Sequence, residues 1–198
     1  MGTIPVAESE LDAETIEGCR RGDPRAQRAV FERYRDRVFS IALHFLKGDH
    51  AAAQDVTQEV FVKVFRAAAQ FRQDARLSTW LYRIVANACL DELRRRRRVL
   101  LFGDMSPAIH PVVPAGESGE PDADVARAVS RLSPRLRMAV LLRYFDDLSY
   151  DEIAHALGVT PGTVASRLSR AHAILARDLA HLRPTGRNSQ EGGHDAAS

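Results

Sequence analysis

Residues 149–179 read SYDEIAHALGVTPGTVASRLSRAHAILARDL, and the fold is decided here. Ser149 followed three positions later by Glu152 is a capping box, in which a hydroxyl and a carboxylate each satisfy a backbone N–H that the helix start leaves open. Ile153, Ala154 and Leu157 then face inward, and Gly158 suits a left-handed helix terminator. Thr160 caps a second helix with Pro161 at its first position. Val164, Leu168, Ala171, Leu175 and Leu179 follow as one apolar stripe. At about 100° per residue, Gly162, Thr163, Ser166 and Arg170 take the opposite arc, with Arg167 at its edge and Ala165 off it. Two capped helices across a short glycine turn make a helix-turn-helix. Small residues at the start of its second helix allow entry into a major groove, where hydroxyl and Arg side chains reach base edges and phosphates. An ordinary helical hairpin with solvated arginines is the alternative for this segment taken alone.

Working outward, the same signals recur and strand-like alternation does not stand out, so the expected class is all-α. Ser133-Pro134 opens a helix holding Leu136, Val140 and Tyr144, and regular structure begins near Asp124. Asp23-Pro24 opens a helix with Val30, Tyr34, Val38, Ile41 and Phe45 at helical spacing, and Gly48-Asp49 ends it and starts the next. That next helix, over 49–70, places Thr57, Phe61, Val64, Phe65 and Ala68 on one face. Its other side carries Asp55, Glu59, Val62, Lys63 and Arg66, which reads either as a docking surface or as a solvated face with one stray valine. Periodicity lapses over 71–76 in a polar loop, and Ser78 caps a long helix through Trp80, Ile84 and Ala88 to the run Arg94–Arg98. The run sweeps around the helix, so one or two arginines reach phosphate and the rest are solvated.

Four prolines and three glycines between Val99 and Asp122 mark a flexible linker, acidic and without Lys or Arg. The expected division is thus two small helical domains, 1–98 and 123–183, with a linker over 99–122 and a disordered tail over 184–198. The chain has 198 residues, is 45% apolar and has a net charge of +2, enough hydrophobic material for packed cores. No apolar run approaches the length of a membrane span, and the acidic N-terminal stretch lacks a signal-peptide pattern, so the cytosol is expected. Cys19 and Cys89 lack metal-ligand spacing and read as buried thiols. No phosphate-cradling glycine loop, metal cluster or nucleophilic triad is legible, so neither an enzyme nor a bound cofactor or metal is expected.

Three stretches together, DVTQEVFVKVFRA (55–67), STWLYRIVANACLDELRRRRR (78–98) and LSYDEIAHALGVTPGTVASRLSRA (148–171), resemble the sigma-70 family. Within it they resemble the extracytoplasmic-function group, which carries only the second and fourth conserved sigma regions. The resemblance covers roughly residues 12–182, in the family's order. It implies promoter binding as a subunit of RNA polymerase. Asp55, Gln58, Glu59 and Val62 would dock on the clamp helices of the polymerase's largest subunit. Ala67, Phe71, Leu77 and Asn87 would surround a pocket for a flipped −10 base, and Trp80, Tyr82 and Arg83 would hold the melted strand. Aromatic rings beside positive charge suit unpaired bases, although core packing is the alternative for Trp80. Thr163, Ser166, Arg167 and Arg170 would read the −35 duplex. An anti-sigma factor is a further implied partner. Ala165 stands where relatives often carry Arg, Ser169 where some carry an aromatic, and Leu77 where an aromatic is frequent, so promoter preference should differ. Two rival readings stay open: a helix-turn-helix regulator that binds duplex DNA without polymerase, and a sigma mimic that binds a regulator protein.

Overall fold

Five helices begin at a side chain that can accept a backbone hydrogen bond. Asp12 accepts from the Thr15 N–H at 2.6 Å, Asp23 from Arg25 at 2.8 Å, Asp49 from Ala52 at 3.0 Å, Ser149 from Glu152 at 3.3 Å and Thr160 from Thr163 at 3.3 Å. Each such cap contributes about 1 kcal/mol. In a computed structural model of the chain, which describes residues 11–71, 76–102 and 121–182, they open helices α1 (Ala13–Arg20), α2 (Pro24–Phe45), α3 (His50–Ala67), α7 (Tyr150–Leu157) and α8 (Pro161–Asp178). The remaining helices are α4 (Leu77–Phe102), α5 (Pro121–Arg131) and α6 (Pro134–Phe145). Single 3-10 turns follow α3 at Ala68–Gln70 and α8 at Ala180–Leu182. Among the described residues there is no strand.

The first lobe is α1–α4. Its core is made by Val30, Val38, Ile41 and Phe45 of α2, Val56, Val60 and Val64 of α3, and Leu81, Val85 and Cys89 of α4, all buried. Between α2 and α3 the chain turns through Lys47 and Gly48, both with positive φ, of 61° and 85°. The second lobe is α5–α8, in which Leu141, Leu142, Ile153, Val164, Leu168 and Ala171 are buried together. Burying one such large aliphatic side chain contributes about 1.5–3 kcal/mol. The lobes are in contact: α2 packs on α6 and α4 on α7, and buried apolar residues of both belong to one continuous core.

The structure departs from the sequence reading at several points. α1 was not foreseen. α4 begins at Leu77, so Ser78 sits in its first turn and does not cap it. Helix continues to Phe102 and resumes at Pro121, which takes the ends of the 99–122 segment into regular structure. On α6, Met138, Ala139, Val140, Leu141 and Leu142 are buried and Leu136 is half-buried, whereas Tyr144, the last of the three residues its spacing selects, is 59% exposed. Ala165, placed off the open arc, is exposed. The polar loop at 72–75, the linker interior at 103–120 and the tail from 183 lie outside the described residues.

Both cysteines are buried, as expected. Burial raises the Cys19 thiol, and burial followed by the carboxylates of Glu59 and Glu92 pushes Cys89 up to about 12, which disfavours the reactive thiolate.

Candidate functional site

The helix-turn-helix forms as its residues dictate. Ser149 and Glu152 complete the capping box, with the Ser149 N–H donating to Glu152 Oε2 at 2.9 Å. Gly158 terminates α7 with φ 63° and ψ 40°, the left-handed region where a Cβ is strained. Thr160 then caps α8, and Val164, Leu168 and Ala171 seat it on the lobe. That burial turns Ser166 and Arg170 outward, with Thr163 and Arg167 half-buried. Two of the hydroxyls are already engaged locally. Thr163 Oγ1 lies 3.0 Å from Thr160 Oγ1, and Ser166 Oγ donates to the Thr163 carbonyl at 2.9 Å. Partial burial and then the neighbouring Arg135 lower the Arg167 guanidinium from its ordinary value. Two cations sharing one side of the lobe favour an anionic visitor.

On α3 the outward face carries exposed Asp55 and Gln58, half-buried Glu59, and Val62 at 47% exposure. Glu59 is held by Lys63 one turn on, Nζ to Oε1 2.6 Å. Among the described residues the Asp55 carboxylate has no such cation.

The residues expected at the −10 element are brought to one end of α4 but differ in access. Phe71 and Leu77 are buried, and the Phe71 ring packs on Trp80 with centroids 5.2 Å apart. Trp80 and Ala67 are half-buried, whereas Arg83 and Asn87 are exposed. Tyr82 is 1% exposed and points into the seam between the lobes, where its hydroxyl donates to Asp146 Oδ1 at 2.6 Å.

The arginine run divides more sharply than its sequence suggests. Arg94 pairs with Asp91 at 2.7 Å, and Arg95 with Glu92. Arg96 reaches both Glu92 at 2.6 Å and Asp49 at 2.8 Å. Burial works against the Arg96 charge, but Glu92 and Asp49 outweigh it and raise its pKa. Arg97 and Arg98 remain exposed, with no ion pair among the described residues.

Sequence reasoning missed Arg137. It is buried and donates to four carbonyls. Nη1 bonds Phe45 at 2.6 Å, Nη2 bonds Ser130 at 2.6 Å and Leu132 at 2.8 Å, and Nε bonds Val129 at 3.2 Å. No spacing rule foretells an arginine that closes a helix end with its fork.

Two helical lobes, the second carrying a helix-turn-helix whose outer face offers hydroxyls and arginines, define a helical protein of the DNA-binding class. The model of sigma-70 region 2 matches residues 30–99, and that of sigma-70 region 4 matches residues 122–175. The chain is 33% identical over 186 residues to the RNA polymerase sigma-H factor of Pseudomonas aeruginosa, covering 87% of this chain and 96% of that one. It is 36% identical over 173 residues to the ECF RNA polymerase sigma factor SigM of Mycobacterium tuberculosis, covering 86% of each. Among solved structures, the sigma factor RpoE of Bartonella quintana, in complex with the anti-sigma factor NepR, superposes with a TM-score of 0.65 at 28% identity, over 79% of this chain and 98% of that one. The chain belongs to the sigma-70 family of RNA polymerase sigma factors, in its extracytoplasmic-function group.

Proposed function

We propose that this chain binds core RNA polymerase, directs it to a set of promoters and opens their −10 region, without itself making or breaking a covalent bond. The observation that carries the reading is the presence of both matched sigma regions, in order, on one chain. Residues 1–98 form the docking and −10 part and residues 123–183 the −35 part, joined across 99–122. Asp55, Gln58, Glu59 and Val62 dock on the clamp helices of the largest subunit. The exposed valine supplies apolar contact, and the carboxylates choose a basic partner.

At the −35 element, Thr163, Ser166, Arg167 and Arg170 read intact duplex. A bidentate Arg contact to a guanine contributes about 1–3 kcal/mol of discrimination. At the −10 element, Ala67, Phe71, Leu77 and Asn87 receive one unpaired base, and Trp80, Tyr82 and Arg83 hold the separated strand. The pocket offsets an unstacking cost of a few kcal/mol and so favours the open duplex. An anti-sigma factor is a natural partner by analogy with the Bartonella quintana complex. Work on the chromosome places the protein in the cytosol, in keeping with the absence, among the described residues, of any helix long and apolar enough to cross a membrane.

The test is transcription in vitro from a genomic promoter library with purified core polymerase. Promoter-specific transcripts that need both chain and core are expected. Promoter recognition by the chain alone, with no gain from core, would instead identify a duplex-binding regulator.

A further inference from the structure

The second lobe sorts its arginines. Of the eight between Pro121 and Leu182, four are engaged by the protein itself. Arg127 pairs with Asp124 at 2.9 Å, and Arg177 with Asp178 at 3.1 Å. Arg143 donates to the Leu148 carbonyl at 2.9 Å, and Arg137 holds its four carbonyls. Arg131, Arg135, Arg167 and Arg170 make no ion pair or hydrogen bond among the described residues. Two of these belong to the reading helix α8. Arg135 does not: it stands, exposed, in the first turn of α6.

α6 packs on α8, and Met138 and Leu142 of the first and Val164 and Leu168 of the second are buried. That packing brings Arg135 close enough to half-buried Arg167 for its charge, after burial, to lower the Arg167 guanidinium. Folding gains nothing from this placement. The start of a helix carries partial positive charge and favours acids, yet α6 has none in its first turn. Two like charges side by side add repulsion. Both costs are relieved by one anion seated between the two guanidinium forks, since each fork matches a phosphate with two N–H groups. The pair lies at the edge of the arc that carries Gly162, Ser166 and Arg170, all exposed. When a helix enters a major groove by such an arc, its flanks meet the sugar-phosphate backbone, and contacts there fix the register.

We infer that Arg135 of α6 and Arg167 of α8 form a seat for one backbone phosphate of duplex DNA, at the margin of the groove that α8 enters. Two helices, not the reading helix alone, thereby set the register in which Ser166 and Arg170 meet base edges. The seat deepens the −35 role proposed above and rests on it. It assigns Arg167 to the backbone and makes Arg135 a duplex-positioning residue outside the helix-turn-helix.

The experiment uses the full-length chain bound to core polymerase and a promoter duplex recovered from the library. In a series of such duplexes, one −35 phosphate at a time is replaced by an uncharged methylphosphonate. On the unmodified duplex, Arg135→Ala and Arg167→Ala should each weaken binding by about 10-fold, the effect of losing a hydrogen bond to a charged group. The loss should be the same for every base-pair change in the −35 element, because a phosphate contact carries no sequence. Arg135→Lys keeps the charge without the fork and should fall between the wild type and Arg135→Ala. Arg135 is exposed, so its replacement leaves the core untouched. Arg177→Ala removes the same charge where Asp178 already holds it, and should bind as the wild type does. At one methylphosphonate position the wild type should lose a similar factor, and there both alanine variants should bind as it does. If no single position silences both variants, or if Arg135→Ala binds the unmodified duplex as tightly as the wild type, the seat is refuted. A loss for Arg167→Ala confined to one base pair makes that residue a base reader and refutes it equally. Promoter-specific transcription by the wild-type holoenzyme is scored separately. Intact transcription with a failed seat overturns the seat alone, and a chain that neither binds the duplex nor directs transcription overturns the proposed function with it.

Discussion

Replacing Arg137 with Met tests whether a buried charge without a carboxylate holds the second lobe together. The guanidinium donates to four carbonyls, three of them at and just beyond the C-terminal end of α5 and one at the end of α2. Helix ends leave such carbonyls open, and here the fork closes them in a place water does not reach. Burial acts in the other direction and takes the Arg137 pKa down to about 10, which sets a desolvation cost of about 3 kcal/mol. Hydrogen bonds to a charged group contribute about 1.5–3 kcal/mol each. Four of them exceed that cost, and the net loss on truncation is about 3 kcal/mol or more. For a chain of this size, 1 kcal/mol shifts the melting temperature by about 2–4 °C, so a fall of about 6–12 °C is expected. Arg135→Met, an exposed change on the same helix, should stay within about 0.5 kcal/mol of wild type. Thermal melts of the two variants followed by circular dichroism make the comparison. If Arg137→Met melts at or above Arg135→Met, the carbonyl bonds do not repay the burial, and the account of this residue is wrong.

Two further outcomes follow from charges already described. Burial pushes the Glu152 carboxyl up, but the Ser149 N–H and hydroxyl, with Arg76, pull it further down, and its folded value lies below 4.5. A depressed acid adds stability that is present above its unfolded value and is lost as pH falls through the folded one, so this part of the stability should begin to fall below about pH 4.5 and be gone once pH is under the folded value. Melts of wild type and Glu152→Gln across pH 3–6 measure it, and parallel pH profiles would exclude the capping carboxylate as the cause. On α3, Asp55→Arg should weaken core-polymerase binding more than Glu59→Arg does, because Glu59 is already occupied by Lys63. Titration of labelled polymerase reads the difference, and unchanged affinity for both variants would remove this face from the docking surface.

Residues whose structure is decided within one helical turn were the legible ones. Asp23, Asp49, Ser149 and Thr160 announce helix starts, Gly158 announces a stop, and the stripes of α2, α3 and α8 select the faces that are buried, with Phe65, Leu175 and Leu179 half-covered at their margins. α1 escaped notice because its eight residues are short on apolar positions, and its burial comes from Gly18 and Cys19 lying against α2. On α6 the spacing of Leu136, Val140 and Tyr144 marks only part of what is covered, because all of Met138 to Leu142 is buried, and a sequence period cannot choose a face when two lobes bury a helix from different sides. Tyr82 and Asp146, 64 residues apart, share no pattern that ties them together. Their pairing is a product of how the lobes meet, and α4 read alone looks open along its whole length.

Asp49 lies between α2 and α3 and uses its two oxygens for different purposes. Oδ1 takes the Ala52 N–H, and Oδ2 takes Arg96 from the far end of α4, 47 residues on. A replacement at this position has to supply two acceptors at once. Asn has the same shape, but its NH2 must face a donor in either orientation, the Arg96 guanidinium or the Ala52 N–H. Ser and Thr reach the N–H and have no second oxygen. Glu carries both oxygens one carbon farther from the backbone, away from the place where Oδ1 meets the Ala52 N–H. Aspartate serves the helix beside it and the distant arginine at once, one oxygen to each.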